Sequence, residues 1–111
     1  MMVEMAAENN SVQREIEALL VAPSSGEDAP TLARVEETLT EGYAEALVLE
    51  AERLRLERRL SEAARDSEGA GVGEELRELG TRLRSADGEL VKLRALLGSL
   101  HERARSLRKG D

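Results

Sequence analysis

One run of this sequence leaves little freedom in what it can fold into. Leu76, Leu79, Leu83, Ala86, Leu90, Leu93, Leu97, Leu100, Ala104 and Leu107 recur at alternating spacings of three and four, without a slip. Such a set lines one face of an α-helix, because a turn takes about 3.6 residues. A strand would scatter it over both faces, since strand side chains alternate with period two. The spacing therefore predicts a helix over residues 74–108. Gly80, Gly88 and Gly98 fall inside it, each at a cost of about 1 kcal/mol relative to Ala. None lies on the stripe, so the phase carries through, and Asp87-Gly88 is the expected place for a kink.

A second stripe precedes it: Leu32, Val35, Leu39, Gly42, Ala46, Leu49, Arg53, Leu56, Leu60 and Ala63, with Gly42 and Arg53 as the imperfect members. It predicts a helix over 31–66. Residues 67–73, with Gly69, Gly71 and Gly73, separate the two helices. A short loop between long helices makes them antiparallel neighbours. Folding the chain about Gly69 and Ala70 pairs the stripes layer by layer. Leu32 meets Leu107, Gly42 meets Leu97, Leu49 meets Leu90, Arg53 meets Ala86 and Ala63 meets Leu76. Small residues oppose large ones in several layers, as interdigitated packing requires.

Residues 22–30 hold both prolines and Gly26, and proline interrupts a helix by removing a donor and restricting its predecessor. Before this loop, Val12, Ile16, Leu19 and Leu20 form an apolar stripe on a third, shorter helix over 11–21. Asn10 and Gln13 have the spacing of a capping box. Met2, Met5 and Asn9 continue the spacing backwards, so an earlier start would put Asn9 on the stripe, where it could set register between chains. The fold class is all-α: a long antiparallel, coiled-coil-like hairpin over 31–111, preceded over 1–30 by a short N-terminal helix and its loop. A domain this small often needs a partner to bury enough surface, so a dimer or higher oligomer in a larger helical bundle is expected.

Composition agrees. Charged residues make up 35% of the chain and Tyr43 is the only aromatic, which suits stacked leucine layers rather than a thick globule. Cysteine is absent, which excludes disulfides and thiolate metal sites and is compatible with a cytoplasmic location. No apolar run approaches the roughly 20 residues of a membrane span, and no basic residue among the first ten suggests a secretory signal. The net charge of -7 divides as -9 over residues 1–50 (11 acidic, 2 basic) and +2 over 51–111 (12 acidic, 14 basic). The hairpin accounts for this split. It sets Glu36, Glu37, Glu41 and Glu45 beside Arg94, Arg103, Arg105, Arg108 and Lys109, each cluster at the helix end whose dipole it complements.

The hairpin stripes leave apolar side chains over. Tyr43, Leu47 and Leu54 lie to one side of the second helix, and Val91 and Gly98 lie on the same side of the third. Together they predict a groove for another helix; the first helix, folding back over Tyr43 and Leu47, is its expected tenant, and the alternative is a dimer in which two hairpins pair through these grooves with the first helix swapped or flanking. Val48 and Leu96 form a smaller patch on the opposite flank. Tyr43 suits either a core edge or a partner interface. Arg53 is expected to snorkel from the seam toward Glu57, Asp87 or Glu89, with a register or partner contact as the alternative.

Catalytic signals are weak. His101, the only histidine, sits on the rim of the stripe, and Gly98 stands three residues before it where a di-iron bundle would need Glu. Paired acids such as Glu74 and Glu75 read as solvated helix faces. The glycine loop follows a charged helix rather than a strand, which argues against a phosphate loop. The basic C-terminal end has no interleaved aromatic for base stacking, so nucleic-acid association is a lesser reading. The expectation is a non-enzymatic protein-interaction module, with no metal, cofactor or small-molecule substrate, that binds another protein's helix or a second copy of itself. In size, acidity, leucine content and hairpin shape the chain is similar to flagellar and type III secretion chaperones. That likeness of class, without a shared motif, implies a small acidic chaperone for an exported substrate as the alternative.

Overall fold

The computed structural model describes residues 2–66, 69 and 71–109, with side chains from Ser11 onward. Three helices follow one another: α1 (Met2–Val21), α2 (Leu32–Arg65) and α3 (Val72–Lys109). α2 and α3 pack closely as the all-α hairpin that their stripes require.

Local signals explain the helix ends. Thr31 caps α2, its Oγ1 accepting the Arg34 amide hydrogen at 3.1 Å, so one of the first orphan donors is satisfied. In the loop before it, the Ala29 amide donates to the Gly26 carbonyl at 3.2 Å, and Gly26 has φ +93°, a left-handed conformation that glycine adopts without strain. Gly71, with φ +85°, does the same at the second loop, where Val72 N bonds Gly69 O and Glu75 N bonds Gly71 O. The chain therefore reverses between Arg65 and Val72; Ala70 lies outside the described residues. α3 has Glu74 and Glu75 in its first turn and Arg108 and Lys109 in its last, so its charges complement its dipole. α2 has no acid in its first turn, so the expected complement at its start is absent: its acids begin at Glu36, beyond the range where the dipole acts strongly. α3 runs as one helix through Gly80, Gly88 and Gly98.

The chain divides into two compact units, Met1–Ala46 with Lys92–Asp111, and Leu47–Val91. In the second unit Leu56, Ala63, Leu79 and Ala86 form a buried cluster, with Leu60, Leu76 and Leu83 packed against it. These are the side chains that the hairpin layers assign there. Leu49 and Leu90 are also buried. Arg53 extends to the rim, where its Nε lies 3.2 Å from Glu57 and its NH1 3.4 Å from Asp87. These are two of the three acids expected of it.

In the first unit Val35, Leu39, Ala46, Leu93, Leu97, Leu100 and Ala104 are buried. The layer of Gly42 with Leu97 is direct: a Cβ on Gly42 would overlap Leu97 Cδ2 and lie 3.4 Å from Ile16 Cδ1. The acidic and basic clusters meet through Glu36 and Arg108 at 2.6 Å. Arg103 does not join that pairing and turns instead to α1. Arg105 pairs within α3, with Glu102.

α1 departs from expectation in two ways. It begins at Met2 rather than residue 11, so Asn10 lies inside the helix and does not cap it. The side chains of Met2, Met5 and Asn9, and the register role considered for Asn9, lie outside the described residues. It also takes the other flank of the hairpin. Ile16 packs at Gly42, Glu15 pairs with Arg34, and Arg103 holds the carbonyls that end the helix. Tyr43 is left half exposed. The reason is steric: Gly42 has no side chain and Thr38, one turn before it, has a short one, so a helix approaches more closely there than over the Tyr43 ring.

Candidate interaction surfaces

α2 exposes its surplus apolar side chains in a regular way. Leu47 is 68% exposed and Leu54, one heptad later on the same face, is half exposed. Val91 on α3 is 67% exposed in the same unit. Val48 is exposed as well. Single exposed leucines are ordinary, but several exposed apolar side chains within one small unit make a candidate interaction surface. Beside Leu54 a shallow depression of about 320 Å³ is lined by Glu57, Arg58, Ser61, Glu62 and Arg65. Its walls come from one helix and are mostly charged, so it offers a polar rim and no enclosed pocket for a small molecule.

The remaining residues singled out in the sequence belong to the first unit. Tyr43 is half exposed, Gly98 is exposed with open space where a side chain would project, and Leu96 is half-buried. Arg53, in the second unit, is committed to Glu57 and Asp87. His101 is exposed. Among the described residues no group of histidine and carboxylate side chains is placed to hold a metal ion, and no helix is long and apolar enough to cross a membrane.

A second surface went unnoticed in the sequence. Arg103 donates to the carbonyls of Leu20 at 3.2 Å, Pro23 at 2.8 Å, and Ala22. α1 has no basic residue in its last turn, so α3 supplies its C-terminal cap. Next to this contact Leu20, Ser24, Ser99, Ser106 and Leu107 line an open depression of about 470 Å³. Thr38 is 0% exposed, and its hydroxyl finds no hydrogen-bond partner among the described residues. A usable signal did exist: Thr38 and Gly42, four residues apart, make a small-residue strip on the flank that Leu96 shares.

Comparison with protein-family models, with curated proteins and with solved structures returns no match. The functional reading therefore rests on the surfaces themselves.

Proposed function

We propose that this chain is a non-enzymatic helical interaction module of the cytoplasm, an adaptor or scaffold that receives an amphipathic helix on the exposed apolar face of α2 and α3. The supporting observation is Leu47 and Leu54, one heptad apart and both open to water, with Val91 exposed in the same unit. A helix bearing apolar residues at i, i+3 and i+7 would cover them in the manner of helix-in-groove recognition. A second copy of the chain is the first partner to test, since a small helical domain gains most from sharing its apolar surface. Burying a leucine is worth about 1.5–3 kcal/mol, so two aspartates here should weaken association at least about 100-fold.

The absence of native cysteine permits a clean test. A chain carrying Leu54→Cys as its sole thiol should give a specific cross-link to the partner helix, abolished by Leu47→Asp. Cross-linking that Leu47→Asp leaves intact would contradict the proposal. Stoichiometric capture of one extended secreted polypeptide, with no self-association, would favour the chaperone reading instead.

A further inference from the structure

α1 is attached differently from the two helices that it packs on. Among its described side chains only Ile16 and Leu19 are buried. The α2–α3 seam of the same unit buries residues from Val35 to Ala46 and from Leu93 to Ala104. Polar atoms are poorly served beneath α1. Among the described residues the Thr38 hydroxyl, one helical turn from the Gly42–Ile16 contact, has no hydrogen-bond partner, and Arg103 Nε is also buried without one. Opening α1 would return both to water, so the closed state carries a desolvation cost that the buried leucines of the seam do not. Two polar contacts offset it. Arg103 binds the terminal carbonyls of α1, and Arg34, half exposed, pairs with Glu15, a contact that salt would screen. Beyond α1 the chain passes through a loop with Gly26 in a left-handed conformation, free of regular structure until Thr31.

We infer that α1 is a releasable latch, and that its release, with α2 and α3 still paired, opens a seat formed by Thr38, Gly42, Leu97 and Arg103 that accepts an amphipathic helix by its apolar stripe and its C-terminal carbonyls. The occupant in the closed state is α1 itself. A competing helix must match its chemistry: an isoleucine and a leucine three residues apart, and a C-terminus reaching Arg103. This site is separate from the exposed face at Leu47 and Leu54, and either proposal stands if the other fails.

Native-state hydrogen exchange on the full chain tests the latch. Amides of residues 13–21 should exchange at least about 100-fold faster than those of residues 36–46 and 93–104, because they open locally. Thr38→Val should slow α1 exchange about fivefold by removing the unpaired hydroxyl, and Arg103→Ala should speed it about tenfold, with the seam unchanged in both. A common exchange rate for α1 and the seam, or a Thr38→Val chain in which α1 exchange is not slowed, would overturn the latch. The seat is probed with a fluorescent peptide of residues 11–24. It should bind the Ile16→Asp chain at least about tenfold more tightly than the unaltered chain, where α1 competes in cis. Equal binding, no binding to either chain, or loss of the α2–α3 pairing in Ile16→Asp would contradict it.

Discussion

Glycine 42 does something that the other helical glycines do not. Gly88 and Gly98 face open space, whereas a side chain at Gly42 would enter the volume of Leu97. Replacing either exposed glycine by alanine should raise stability by about 1 kcal/mol through helix propensity alone. Gly42→Ala gains the same propensity and overpacks a buried layer, at a cost of about 1–3 kcal/mol, so a net loss of up to about 2 kcal/mol is expected. Thermal melts of the three variants should therefore split in sign. Arg53 gives a second contrast at this scale. Its ion pairs with Glu57 and Asp87 are partly exposed, and such pairs contribute about 0–1 kcal/mol each. Arg53→Met, which keeps the aliphatic stem, should change stability by less than about 1 kcal/mol in denaturant titration. A loss well beyond that would show that the charge itself fixes the register.

At the level of the helices, most of the hairpin is legible in the sequence alone. A strict three-four repeat admits one helical face, and two such faces joined by a glycine loop admit one antiparallel register. The contact of Gly42 with Leu97 and the cluster of Leu56, Ala63, Leu79 and Ala86 are members of that register. α1 could not be placed in the same way. Its stripe is short, and two flanks of the hairpin carried apolar residues. The choice turned on properties that periodicity does not weigh: the missing side chain at Gly42, the small Thr38, and a guanidinium positioned to cap a helix on another segment. The large side chains Tyr43 and Leu47 suggested the wrong flank because they were counted as attraction and not as bulk. The capping signal at Asn10 misled for a related reason, since a capping-box spacing inside a continuous helix is sterically harmless. The start of α2 was more legible. Thr31 holds the Arg34 amide, and Thr31→Ala should cost about 1 kcal/mol in a chemical denaturation series. A change below the error of the measurement would mean that solvent caps α2 equally well.

For the whole molecule, the proposed role is that of a structural partner that works through helix-on-helix packing. The hairpin buries most of its leucine stripes, and on the proposed reading the apolar side chains left exposed on α2 and α3 are what a partner covers. Leu47, Leu54 and Val91 are each at least half exposed, so their replacement separates folding from binding. Light scattering over a concentration series, on the unaltered chain and on Leu47→Asp with Leu54→Asp, is the most direct test. The account predicts a concentration-dependent dimer for the unaltered chain and a helical monomer for the double variant, with association weakened at least about 100-fold. A chain that stays monomeric at every concentration would rule out a second copy as the partner, and a double variant that associates as well as the original would contradict the role of this face.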